Sequence, residues 1–133
     1  NVSLLKINTS SSGDFSGNVT CNSIFIDASS SSNVALNMAT QDVAVNLSSS
    51  STVDLKGKTN NLAIDASSSS DCEAKELQAN NVQVLASTSS DVNVVALKSL
   101  DATASTSASI KYYGKLDKVK IIESTSGSVE QVK

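Results

Sequence analysis

A run of small hydroxyl residues returns at a nearly fixed interval along this chain, and each run is followed by an apolar residue in the same phase. The clearest copies are Ser29 to Ser32 before Val34, Ser48 to Ser51 before Val53, Ser67 to Ser70 before Cys72, and Ser87 to Ser90 before Val92. Weaker copies precede Phe15, Ile110 and Val129, so the apolar anchors are separated by 19, 19, 19, 20, 18 and 19 residues. That interval is too long for a heptad and suits one coil of a solenoid.

The periodicity extends beyond serine. Ten residues before the anchors stand Leu5, Ile24, Val43, Leu62, Val82, Leu100 and Val119, and eight before stand Ile7, Ile26, Val45, Ile64, Val84, Ala102 and Ile121. The apolar phase advances by two, which is the side-chain period of a strand. The residues between point the other way, as Asn8, Asp27, Asn46 and Asp65 do seven before their anchors. A second strand surrounds each anchor, because Leu36, Leu55, Ala74, Val94 and Tyr112 keep its parity two residues on. Gln41-Asp42, Lys56-Gly57-Lys58, Asn60-Asn61, Asn80-Asn81 and Gly114-Lys115 carry the turn chemistry expected at corners.

These patterns predict an all-β chain, a single-stranded right-handed parallel β-helix of about seven coils of about 19 residues each. With neighbouring strands about 4.8 Å apart, the stack would be about 34 Å tall. One coil buries about four apolar side chains worth about 1.5–3 kcal/mol each, while ordering its backbone costs about 1–2 kcal/mol per residue. A lone coil is therefore unstable, and residues 1–133 are expected to fold as one β-helix domain.

Residues 77–92, LQANNVQVLASTSSDV, together with Asp71-Cys72 and Gly13-Asp14-Phe15, resemble the repeat of the putative auto-transporter adhesin, head GIN domain family. That family, found mainly in Bacteroides-type bacteria, repeats a unit like L-x-A-x-x-L-x-V-x-x-S-G-S-G-D-[VI]. The resemblance covers nearly the whole chain. It implies a right-handed parallel β-helix exported to the periplasm, outer-membrane surface or exterior of a Gram-negative bacterium, with no activity assigned.

Two departures stand out. The family places glycine two and four residues before the anchor, where this chain has Ser32 and Ser30, Ser51 and Ser49, and Ser70 and Ser68, keeping only Gly13 and Gly127. Serine resists positive φ, so the expected requirement is smallness rather than left-handed backbone, or else a corner that differs from the family's. By parity both serines should face inward and form a hydroxyl ladder along the axis. Of the family's usual segment before the repeats no counterpart is recognised in the given sequence, and the expectation is of a repeat-bearing portion or a short member.

The charge of −3 gives no sign of nucleic-acid binding. Lys111, Tyr112, Tyr113, Lys115, Lys118 and Lys120 are a candidate basic and aromatic patch for anionic polymers or a membrane surface, weighed against a solvated, edge-protecting set of lysines. No apolar run is long enough to span a bilayer. The start at Asn1 suits a processed or trimmed export product. Cys21 and Cys72 stand nearly three coils apart, about 13 Å along the axis, so no disulfide is expected between them.

The chain has no histidine, which excludes Ser-His-Asp and Cys-His nucleophile systems and histidine metal sites. Asp71 and Asp91 share a phase on adjacent coils, a spacing that retaining glycosidases use, but aromatic sugar platforms and long cleft-forming loops are almost lacking. With Asp14 and Asn33 the same column offers oxygens for calcium, yet the glycine-pinned loops of such sites do not occur. The sequons at Asn8, Asn18 and Asn46 are expected by chance in so Asn- and Ser-rich a chain, and threonines are too scattered for an ice-binding lattice.

The expected function is a non-enzymatic surface β-helix that binds a glycan or protein, or acts as a rigid spacer. Asp71, Asp91, Asp27 and Asp65 are its candidate polar surface. No cofactor, metal or nucleic acid is expected. The runner-up is a structural rod that self-assembles through its terminal coils, and a polysaccharide-active enzyme is the remote alternative.

Overall fold

The computed structural model describes residues 2–9, 13–114 and 117–132. They form ten strands: β1 (Val2–Thr9), β2 (Asp14–Ala28), β3 (Asn33–Ala39), β4 (Asp42–Leu47), β5 (Thr52–Ala66), β6 (Asp71–Ala86), β7 (Asp91–Ala104), β8 (Ser109–Tyr113), β9 (Lys118–Glu123) and β10 (Ser128–Val132). Every pairing among them is parallel. The anchors pair in unbroken succession, Phe15 with Val34, Val34 with Val53, Val53 with Cys72, Cys72 with Val92, Val92 with Ile110 and Ile110 with Val129. The fold is thus a parallel β-solenoid of about 19 residues per turn. Seven anchors enclose six intervals, so it has about six turns rather than seven.

Each turn contributes to two faces. The anchor face is built from β3, β8, β10 and the first halves of β2, β5, β6 and β7; the second face is built from β1, β4, β9 and the second halves of the long strands. Alternation puts the apolar side chains of both faces into one core, as the strictly alternating burial of β3 and β4 illustrates. Val34, Val53, Cys72, Val92 and Ile110 are buried, as are Ile24, Val43, Leu62, Val82 and Leu100 across from them. The outer rungs depart from this pattern. Phe15, Val119 and Ile121 keep the inward phase but are 38%, 45% and 40% exposed, because a rung at the end of a stack is covered on one side only.

The 20-residue coil also has a structural counterpart. Two successive exposed residues, Lys75 and Glu76, interrupt the alternation of β6, and the pairing with β5 shifts by one residue between Asp54 and Lys56. This bulge re-aims the strand and brings Glu76 within 3.5 Å of Lys56 on the surface. An exposed pair of this kind contributes little to stability.

The serine corner differs from its sequence expectation in an informative way. Its two central residues have positive φ in every described copy, with 58° and 68° at Ser30 and Ser31, 57° and 68° at Ser49 and Ser50, and 56° and 66° at Thr88 and Ser89. Two consecutive left-handed residues make a tight turn, closed by the Ser51 amide donating to the Ser48 carbonyl at 3.3 Å. The serine or threonine four before the anchor, Ser30, Ser49, Ser68, Thr88, Thr106 or Thr125, therefore takes left-handed backbone after all, and it points to solvent. The one two before is different: Ser32, Ser51, Ser70 and Ser90 are fully buried, with Ala108 in the equivalent place. Smallness is the requirement there.

The axial hydroxyl ladder is not formed. The buried hydroxyls donate within their own turns, Ser51 to the Ser48 carbonyl and Ser70 to the Ser67 carbonyl at 2.6 Å. The two left-handed residues break strand alternation, so parity cannot be counted through the corner. Successive corners are joined instead by backbone bonds, Ser31 donating to Ser49 at 2.9 Å, Ser50 to Ser68 at 3.0 Å and Ser69 to Thr88 at 2.9 Å.

Left-handed conformations disfavour residues with a Cβ, so Ser49→Gly is expected to raise stability by about 1 kcal/mol. Ser51→Gly removes a satisfied buried hydroxyl from a residue without positive φ and should instead destabilise. Urea midpoints of the two variants check the opposite signs.

Candidate binding surfaces

The outward side chains fall on two separate faces, which divides the residues singled out from sequence. Asp71 and Asp91 are register partners on the anchor face. With Asp54, Glu73, Thr52 and Asn93 they line an open acidic depression of about 340 Å³. Asp27 and Asp65 lie on the second face, two rungs apart with Asn46 between them. The four aspartates therefore make two surfaces rather than one.

Partial desolvation at the packed surface, reinforced by the charges of Asp91 and Glu73, holds the Asp71 carboxyl above its usual range. A raised folded-state value means that the contribution of Asp71 to stability is fully present below its unfolded pKa and is lost as pH rises through the folded one. Asp71→Asn is therefore expected to be more stable than the native protein near neutral pH, and the difference should close as pH falls towards about 4. Thermal midpoints across pH for both proteins check this.

The basic and aromatic patch is also divided. Lys111 and Tyr113 stand on β8 of the anchor face, Lys118 and Lys120 on β9 of the second face, all with outward-facing side chains. Tyr112 is only 6% exposed and belongs to the core, so it adds no ring to any surface. Strand alternation is the reason, because its neighbours on both sides face out. Lys115 lies outside the described residues.

Cys21 and Cys72 are both free and buried. Burial, with lesser contributions from Asp54, Glu73 and Asp71, pushes the Cys72 thiol up to about 12. At that value it acts as a small core hydrophobe between Val53 and Val92 rather than as a nucleophile. Among the described residues no group of three or more acidic or cysteine side chains is arranged to hold a metal ion.

A second depression lies on the face of Asp27 and Asp65, and of the four candidate aspartates only Asp65 borders it. On the second face Phe25, Ala44, Ala63 and Gln83 occupy one outward column on four successive rungs. The two alanines make a low floor between a phenyl ring and a long amide. Two shallow lobes of about 620 and 310 Å³ open along this column. One lobe is bounded by a side-chain ladder in which Asn61 Nδ2 donates to Asp42 Oδ1 at 2.7 Å, Asn81 Nδ2 to Asn61 Oδ1 at 3.0 Å, and Ser99 Oγ to Asn81 Oδ1 at 2.9 Å. The other is bounded by Asn46, Asp65 and Leu85. On the preceding rung Lys6 Nζ sits 5.7 Å from the centre of the Phe25 ring, a cation–π distance. The available signal was the column nine residues before each anchor, where two alanines follow a phenylalanine.

The sequence profile of the family described as putative auto-transporter adhesin, head GIN domain, matches residues 1–115. The chain belongs to this family. The head GIN match takes in the acidic depression and the whole Phe25 column, while β9 and β10 continue the solenoid past its end. No curated protein and no solved structure matches the chain. Among the described residues no helix is long and apolar enough to cross a membrane. Head GIN membership and the solenoid together fit a non-enzymatic protein of the surface or exported type.

Proposed function

We propose that this head GIN solenoid is a binding module of the bacterial envelope or exterior, which engages another macromolecule through its outward β-faces. The observation that carries this reading is the second face, where an ordered amide ladder borders an open depression on rungs locked in register by the core. A rigid lattice of this kind holds its polar groups in place before a partner arrives, which lowers the ordering cost of association. Rigidity also suits a spacer, but a spacer needs no depression.

Two features support a role without catalysis. The carboxylate pair Asp71 and Asp91 sits in a shallow surface depression bordered by short side chains, where nothing shields a reacting bond from water. The residues that line it, Asp54 and Glu73 among them, include no aromatic ring on which a sugar would stack.

Purified protein immobilised on beads is expected to retain whole bacterial or host cells saturably, with soluble protein competing. Polysaccharide incubated with it should keep its chain length. Beads that retain no cells would refute the binding reading. Shortening of a polysaccharide that disappears in the Asp71→Asn/Asp91→Asn double variant would replace it with an enzymatic one.

A further inference from the structure

We infer that the Phe25 column of the second face is a binding site for a neutral oligosaccharide built of flat-faced pyranose rings. This rests on the binding-module reading and assigns its ligand chemistry. The floor is apolar and low at Ala44 and Ala63, and Phe25 rises at one end. A pyranose with equatorial hydroxyls has the matching shape, with C–H faces above and below and hydroxyls around its edge. Its face packs on the alanine floor or the phenyl ring, and its edge meets the amide ladder.

The ladder leaves suitable groups free. Asn61 uses one Nδ2–H on Asp42 and one Oδ1 lone pair on Asn81. Asn81 likewise uses one N–H on Asn61 and one lone pair on Ser99. Each amide therefore retains one donor and one acceptor, and the two repeat about 4.8 Å apart along the groove. A hydroxyl both donates and accepts, so a row of ring hydroxyls satisfies such a pair. A peptide strand does so less well, because the rung backbones beneath are already bonded to each other and strand addition takes place at edges, not faces.

Charge selects against acidic sugars. The residues bordering the two lobes include the carboxylates of Asp42, Asp65 and Asp101 and no lysine. A uronate or sulfate placed on the alanine floor meets like charge there, while the Lys6 ammonium stands at the Phe25 end only. The three rung spacings from Phe25 to Gln83 span about 14 Å, a length suited to a short run of sugar units.

The test is calorimetric titration of the whole chain with cellohexaose and chitohexaose, and with hyaluronan hexasaccharide as the acidic counterpart. The expected result is saturable binding of a neutral hexasaccharide, weaker or absent binding of hyaluronan, and about tenfold weaker binding in both Phe25→Ala and Ala63→Gln. Ala63 is exposed, so its replacement raises the floor without entering the core. Equal thermal midpoints establish that both variants are folded. The inference is overturned if neither neutral sugar binds, if hyaluronan binds more tightly, or if Ala63→Gln leaves the affinity unchanged. Cell retention on beads separates the two readings: retention that persists in Ala63→Gln overturns this site and leaves the binding module standing. Sugar binding with no cell retention by the native protein supports the site and refutes the module's role in adhesion.

Discussion

Leu55→Ala is expected to destabilise the protein by about 2–5 kcal/mol, whereas Val119→Ala should change stability by less than about 0.5 kcal/mol. Both positions carry the inward phase of the repeat. Leu55 is fully buried in a middle turn, stacked on Leu36. Removing its isobutyl group leaves a cavity against the Leu36 rung, and the unbroken ladder between β3 and β5 keeps that side from collapsing into it. Val119 is 45% exposed on an outer rung and leaves no closed void. Urea denaturation of both variants measures the contrast. In a nearest-neighbour stack, a weak middle turn also uncouples the two halves, so the Leu55 variant should show a broadened transition. Equal costs at the two sites would mean that the rungs do not share one core as described.

Gly57→Ala is expected to cost more than about 3 kcal/mol or to prevent folding. Gly57 has φ of +115° and sits in register with Met38 on the preceding turn, where an added Cβ would collide with the Met38 carbonyl. The obstacle is backbone, so no rotamer change relieves it and the two rungs must separate. Gly114 has the same φ and meets the Ala96 carbonyl in the same way. Gly17, on the outer turn, has nothing within 4 Å of an added Cβ, and Gly17→Ala should be nearly neutral. Circular dichroism during urea titration checks both variants. A folded Gly57→Ala protein of native stability would show that the corner relaxes more easily than the ladder geometry allows.

Period, strand phase and core membership were legible because they follow from local alternation repeated many times. Val34, Val53, Cys72 and Val92 share an interior for the same reason that they share a sequence phase. The serine corners were misread where parity was carried through a turn. Alternation holds only while the backbone stays extended, and the left-handed pairs such as Ser49-Ser50 reset it. Tyr112 was assigned to a surface patch because its neighbours are lysine and tyrosine, although its own phase already marked it as core.

By itself the sequence determined the parallel solenoid, its interval and which strand side chains face inward, since one-dimensional periodicity maps directly onto a fold whose every turn repeats the last. Only the tertiary structure decided which outward residues are neighbours. Asp71 and Asp27 share a similar composition of surroundings in the chain yet lie on different faces, while Phe25 and Gln83, 58 positions apart, border one depression. The physical reason is that a surface site depends on the height and order of side chains across several rungs, and those are set by how the turns stack rather than by any single repeat.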